Sequence, residues 1–249
     1  MRNRRPTIVS TLLALALLTA CATAAGDQPA SPSPSASPAE ALVTPSPSAS
    51  AAAPAPPPPP PAPPPPPRAV HEQAYTPFAV AEGLTLNHPS RRVEHVGFHE
   101  SNHDGARQME IVQTTVVPLV LESRERLTGS HTAADIVTDP TEQIRSPITG
   151  TVKRGGSYTL YCDTRDHYVV IEPDARPGWE VKVLHMNDLR VRKGDRVTAG
   201  RTVLSSGAHQ LPFKSQVDEM ATAQPAWPHV HLEVVDPSIP DRPSPGGGC

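Results

Sequence analysis

The chain of 249 residues lacks three features that would place it in common classes of protein. It has no excess of positive charge, since 22 lysines and arginines face 25 aspartates and glutamates, whereas a nucleic-acid-binding protein needs a basic face. No window shows a long apolar stripe at helical spacing. Cysteine is scarce, with three residues in all. These absences argue against nucleic-acid binding and against a helical fold.

The first 20 residues have the composition of a secretory signal peptide, with three arginines, an apolar run and then small residues. The ending Leu18-Thr19-Ala20-Cys21 matches the bacterial lipobox, in which cleavage leaves a diacylated Cys21 at the new N-terminus. Ordinary cleavage near residues 22–25, with Cys21 discarded, is the alternative. We expect an exported lipoprotein anchored on the outer face of the cytoplasmic membrane. Loss of the three arginines takes its net charge from −3 to −6.

The segment 21–68 has almost no large apolar side chains and contains 18 of the 33 prolines. It cannot bury a core, so we expect a disordered linker that acts as a stalk, extending at about 3.1 Å per residue. The segment 69–126 is then an N-terminal β lead-in, 127–242 the main domain and 243–249 a tail. Besides Cys21, only Cys162 and Cys249 remain, and such a pair in an exported protein is a candidate disulfide.

Short β-branched runs separated by Gly, Pro and Asp predict one antiparallel all-β domain. The runs are IVQTTVVPLVL, SPITGTVKRG, YVVIEP, WEVKVLHM, VRKGDRVTAG, TVLSS and HVHLEVV. Gly150, Gly194 and Gly200 lie in turn-rich hairpin segments, so we expect them at positive φ.

Three histidine clusters are candidate metal sites, and the first is HESNH. His99, Glu100 and His103 have the spacing of the H-E-x-x-H zinc-protease signature, which needs a helix to bring both imidazoles to one face. Gly97 before the motif and Asp104-Gly105 after it disfavour a helix. We therefore expect a polar loop that is not the metal site, although it can still lie beside the groove that binds the substrate.

The other two clusters lie in strand-like segments, GSHTAADI and HVHLEVV. In a strand, alternate residues share a face, so His229, His231 and Glu233 lie together, opposite the apolar residues between them. By the same rule His131 and Asp135 share a face. Two histidines and one carboxylate form a zinc ligand set that leaves a position for water.

The pattern H-x-x-x-D, followed about a hundred residues later by H-x-H, resembles the lysostaphin/LytM-type zinc endopeptidases of bacterial cell walls. SPITGTVKRGG, HYVVIEPD and WEVKVLHMNDLRVRKGDRVTAGRTV resemble further segments of that family in the same order, so the resemblance covers about residues 127–235. It implies a duplicated-hybrid-motif fold and a metalloendopeptidase that hydrolyses peptide bonds in peptidoglycan. It further implies that His131, Asp135 and His231 hold one Zn²⁺ and that His185 and His229 are the catalytic pair.

Two departures from the family pattern keep other functions open. Ala133 stands where the family usually has glycine, and Leu232 where it often has phenylalanine. One alternative is a non-catalytic LytM-like regulator or wall-binding adaptor. Another is a β-sandwich of the biotinyl/lipoyl type, although no lysine occupies the expected turn. Which of His185 and His229 is the general base also stays open.

Overall fold

Fourteen β-strands supply the regular structure of the residues described by the computed structural model, which are 67–112 and 114–243. In this part of the chain there is no α-helix, only a 3₁₀ turn at Val217–Met220, and no helix long and apolar enough to cross a membrane. The all-β prediction is confirmed. The strands are β1 (His71–Glu72), β2 (Pro77–Ala81), β3 (Leu84–Asn87), β4 (Arg92–His99), β5 (Glu110–Ile111), β6 (Leu119–Val120), β7 (Ala133–Thr138), β8 (Ile144–Arg145), β9 (Gly150–Leu160), β10 (Thr164–Pro173), β11 (Glu180–Leu184), β12 (Arg196–Val197), β13 (Val203–Ser205) and β14 (His229–Val235).

The main sheet has nine strands, in the order β1-β4-β7-β14-β11-β10-β9-β12 with β6 beside β4. Its pairs are antiparallel except β4 with β6. Two small sheets, β13-β8 and β3-β2-β5, complete the structure. Because β4 pairs with β7, the predicted lead-in 69–126 and the predicted main domain share one sheet. The predicted signal peptide, Cys21, nearly all of the linker and the tail from residue 244 lie outside the described residues.

The two neighbouring strands β7 and β14 are buried on both faces. On one face Ile136, Leu232 and Val234 pack into the apolar core. The other face carries buried polar side chains, among them Asp135 and His229. Buried polar groups need partners, so this face marks the place where the fold has assembled a polar cluster.

Two local expectations need correction. The run IVQTTVVPLVL forms only the short strands β5 and β6, because the Thr114 side chain both accepts from the Val116 amide and donates to its carbonyl, competing with strand pairing. Gly194 and Gly200 have positive φ as predicted, but Gly150 does not. Gly150 is the first residue of β9, where an added Cβ would collide with the carbonyl oxygen of Glu172.

The hairpin of β9 and β10 turns at Tyr161 and Cys162, which both adopt left-handed backbone conformations with φ of 48° and 68°. Cys162 is disulfide-bonded. The other cysteines, Cys21 and Cys249, lie outside the described residues, so the pairing with Cys249 stays a prediction.

Replacing His88 by leucine is expected to make stability less sensitive to acid. Both ring nitrogens of His88 are buried and have no hydrogen-bond partner among the described residues. Burial lowers the pKa of His88 to about 4, below the value of about 6.5 in an unfolded chain. Between these values the unfolded chain binds a proton that the folded protein does not, so the free energy of unfolding falls as the pH drops.

From about pH 7.5 to about pH 5 the wild type should lose about 2 kcal/mol more than His88→Leu. Urea unfolding of both proteins in the presence of a chelator measures this difference. His131→Gln, at a partly exposed position, should follow the wild type. Equal acid sensitivity of the wild type and His88→Leu would contradict the prediction.

Candidate metal centre

Three neighbouring strands bring two histidines and an aspartate to one face of the sheet. Asp135 on β7 pairs with His231 on β14 and, on its other side, with Gly97 on β4. His99 is the last residue of β4, two positions after Gly97, and therefore lies on the same face as Asp135. The register of three strands thus places His99, Asp135 and His231 together.

The ligand atoms of these three residues lie within 4.8 Å of one another. His99 Nε2 is 3.1 Å from Asp135 Oδ1, and His231 Nδ1 is 2.9 Å from the same oxygen. The His99 and His231 rings are 5.2 Å apart between centroids. This buried group can hold a metal ion.

The tautomer of His99 fits a metal ligand. Its Nδ1 lies 3.1 Å from the backbone carbonyl oxygen of Glu100, which can only accept, so Nδ1 carries the proton. When the ring carries only that proton, Nε2 keeps the lone pair that a metal ligand needs. That nitrogen is buried and, despite its closeness to Asp135, makes no hydrogen bond of acceptable geometry with any described residue. A backbone carbonyl that fixes the tautomer in this way is a common support for metal-binding histidines.

The charged groups of the cluster stabilise one another. Burial opposes ionisation of Asp135, yet His99, His229 and His231 together hold its pKa well below the usual value. Burial disfavours a charge on His231 as well, but the carboxylates of Asp135 and Glu233 raise its pKa to about 10. Without a metal, His231 therefore carries a proton between two carboxylates. A metal that takes His231 as a ligand must displace that proton.

Two further histidines lie beside this group. The rings of His185 and His229 are 5.0 Å apart, and those of His185 and His231 are 6.1 Å apart. His229 Nε2 lies 3.9 Å from Asp135 Oδ2. Burial lowers the pKa of His229 to about 4, so it is neutral near pH 7.

His185 is held in place by its backbone and by a buried aspartate. It follows β11 with a φ of 65°, a left-handed conformation that is uncommon for residues other than glycine. Its Nδ1 donates to Asp166 Oδ2 at 2.6 Å, and Tyr158 donates to the same oxygen at 2.6 Å. Burial disfavours the charge on Asp166, but the donors His185, Tyr158 and His209 lower its pKa to about 2. The carboxylate is therefore ionised and fixes the proton on Nδ1 of His185, which leaves Nε2 as an acceptor.

One cavity of about 240 Å³, called the site pocket below, is lined by the candidate metal ligands and by both further histidines. His99, Asp135 and His231 line it together with His185 and His229. Around them lie tyrosines, leucines and three cationic side chains, Arg124, Arg126 and Lys214. The candidate metal group therefore opens into a space that also contains two neutral or proton-accepting imidazoles.

The structure does not bring His131 to this cluster. His131 lies in a turn just before β7, and its partly exposed ring contacts Ser130 Oγ at 3.0 Å. It packs 5.3 Å from the ring of Phe98, which points to the face opposite His99. The extended conformation assumed from the spacing of His131 and Asp135 is thus interrupted. The geometry does not support His131 as a ligand, although Asp135, His231, His185 and His229 all meet as expected.

The HESNH segment needs the opposite correction at one residue. The segment is not helical, which agrees with the expectation. His99, however, ends strand β4 and belongs to the candidate metal group His99-Asp135-His231, called the metal group below. Glu100 faces away and accepts hydrogen bonds from Ser123, Arg124 and Arg126. His103 contacts Asp241 and the buried Glu233 instead of the metal group.

Sequence reasoning also missed Asp166 and Arg126. Asp166 interrupts the strand run of β10, and an aspartate inside a strand is unusual enough to have been a signal. Arg126 lies in a polar loop, and no feature of the sequence indicated a function for it. No known protein family matches the chain, and no curated protein matches it.

Proposed function

We propose that this protein is a zinc metalloendopeptidase that hydrolyses peptide bonds in peptidoglycan. One observation carries the proposal: the buried group His99-Asp135-His231 opens into the same pocket as His185 and His229. Two histidines and a carboxylate are a ligand set typical of zinc hydrolases. The sequence resemblance to lysostaphin/LytM-type enzymes supports peptidoglycan as the substrate. The lipobox supports an exported protein anchored through Cys21.

The donor set suits zinc because imidazole nitrogen and carboxylate oxygen are among its usual ligands. His99, Asp135 and His231 would hold the ion, so the ligand set differs at one position from that implied by the resemblance. When bound, Zn²⁺ supplies Lewis-acid polarisation of a carbonyl and makes water more acidic.

The two remaining histidines have different capacities. The ionised Asp166 bonded to Nδ1 of His185 stabilises positive charge on that ring, so His185 is suited to take up a proton at Nε2. His229 has a strongly lowered pKa and stays neutral. A neutral imidazole that keeps one N–H can donate a hydrogen bond to a developing oxyanion. We therefore assign proton uptake to His185 and oxyanion stabilisation to His229.

The full chain loaded with zinc should release new amino groups and peptides from purified cell walls. A chelator should abolish the release, and added Zn²⁺ should restore it, because the reaction depends on the metal group. Mass spectrometry of the released peptides identifies the bond that is cut. A folded, zinc-loaded protein that releases nothing from walls with several kinds of cross-link would contradict the enzyme and favour the wall-binding adaptor.

A further inference from the structure

The carboxylate of Glu100 holds a loop beside the site pocket. It accepts hydrogen bonds from Ser123 Oγ at 2.8 Å, from the Arg124 amide at 2.9 Å and from the Arg126 amide at 3.0 Å. The Glu100 carboxylate therefore acts as a clamp on the loop, while the backbone carbonyl oxygen of the same residue bonds to Nδ1 of His99.

The clamped loop has an unusual backbone. Glu125 and Leu127, on either side of Arg126, have φ of 59° and 63°, and neither is a glycine. Residues other than glycine adopt this region at a cost and keep it only where their surroundings impose it. Such conformations cluster at ligand-binding sites. Arg126 thus lies between two residues of left-handed conformation and lines the site pocket.

The guanidinium of Arg126 is connected to the metal group through one backbone oxygen. Its Nη1 donates to the carbonyl oxygen of Glu100 at 2.6 Å. The same oxygen accepts from Nδ1 of His99. Arg126 is half-buried and lines the site pocket. It therefore stands next to the place where a bound peptide would react.

Arg126 has unused donors and makes no salt bridge within the part of the chain that the structure describes. Its guanidinium donates to the Glu100 carbonyl oxygen, and the carboxylates of Glu100 and Asp135 act on it through space without forming a salt bridge among the described residues. The pocket lining includes two more cations, Arg124 and Lys214, and a single acidic residue, Asp135, which belongs to the metal group. A pocket with this charge balance is suited to an anionic ligand. The planar guanidinium can bind a carboxylate through two N–H groups.

We propose that Arg126 binds a carboxylate of the substrate, so that the site pocket selects an acidic peptide. The inference rests on the proposed function only in taking a peptide as the occupant. Arg124 and Lys214 add attraction at longer range, while Arg126 makes the direct contact. Arg126 is thus a specificity-determining residue, and Glu100 is the positioning residue that holds its loop.

The probes are six-residue alanine peptides, capped at both ends, in which one position carries Glu or Gln and that position is moved along the peptide. The zinc-loaded wild type should prefer Glu over Gln at one position by about tenfold or more in kcat/KM, as expected for a charged hydrogen-bonded pair. Arg126→Gln should reduce the preference to about threefold or less. Arg126→Lys should keep part of it. Arg192→Gln, on the exposed surface, should behave as wild type.

The same preference should appear in the dissociation constants of the metal-free proteins, measured by calorimetry. Without a metal, a preference for Glu cannot come from carboxylate binding by the metal ion. A dissociation constant also contains no contribution from turnover, so the preference can be assigned to Arg126. Glu100→Gln should weaken the preference in the same direction, because an amide cannot replace a carboxylate that accepts three hydrogen bonds.

The outcomes distinguish the two proposals. Hydrolysis with the same Glu preference in wild type and Arg126→Gln overturns the carboxylate site and leaves the enzyme standing. Absence of any Glu preference in the wild type also overturns it. Binding that prefers Glu and depends on Arg126, without hydrolysis of any probe or wall, supports the carboxylate site and counts against the enzyme.

Discussion

His99→Ala and His231→Ala are expected to lose their bound zinc, whereas His131→Ala keeps about one equivalent. His99 and His231 each contribute an imidazole to the buried group around Asp135. Loss of a supporting residue around a metal typically lowers affinity by about 10–100-fold, so loss of a ligand itself should lower it by more than about 100-fold. Metal analysis after dialysis and competition with a chromogenic chelator measure the affinity.

His131→Ala is the matched control, since it removes an imidazole a few residues from Asp135 that lies in a turn and is partly exposed. Circular dichroism shows whether each variant keeps its β structure. Zinc loss in His131→Ala together with retention in His99→Ala would restore the ligand set implied by the family resemblance. If all three variants retain zinc, the metal does not bind on this face of the sheet.

The predictable part of the site depends on local periodicity. The alternation in HVHLEVV predicts that His229 and His231 share a face, and the structure places both in the site pocket. Asp135 was predicted from its spacing of four residues to His131 and from the family resemblance, and it lines the site pocket although His131 does not. The all-β class follows from such short runs, each of which needs only neighbouring residues to be recognised.

The unpredictable part depends on strand pairing between distant segments. His99 joins Asp135 because β4 lies beside β7, a contact that no spacing within HESNH encodes. The H-E-x-x-H signature needs a helix to use both of its histidines, whereas His99 alone joins the candidate metal group, and it does so from the end of a strand. His131 does not reach the group around Asp135 because the chain turns at residues 130–131. The spacing between His131 and Asp135 does not show this turn.

The residues that support His185 were hidden for a similar reason. Asp166 reaches His185 because β10 pairs with β11, and Tyr158 reaches Asp166 from β9. Tyr158 looks ordinary in its own strand, and Asp166 is unusual only as an aspartate inside a strand, which does not indicate its partner. Their function as a group appears only when the sheet order brings three strands together, so a single sequence carries little signal for them.

His185→Ala and His229→Ala are expected to keep zinc but to lose activity by about 10²–10⁴-fold in kcat/KM, the usual contribution of a positioned acid or base. Neither residue belongs to the group His99-Asp135-His231, so the metal content should stay near one equivalent. Release of peptides from cell walls, with zinc measured on the same samples, checks both parts. His131→Ala again serves as the control and should cleave as the wild type does.

Asp166→Asn separates the two histidines. The neutral amide of an asparagine carries no charge to stabilise a protonated His185 ring, so proton uptake at Nε2 should become harder. The acidic limb of the pH–rate profile reports the group that takes up the proton, and Asp166→Asn should shift this limb to lower pH with zinc retained. An unchanged profile in Asp166→Asn, combined with a shift in a His229 variant, would reverse the two roles, because the base would then be the histidine that Asp166 does not touch.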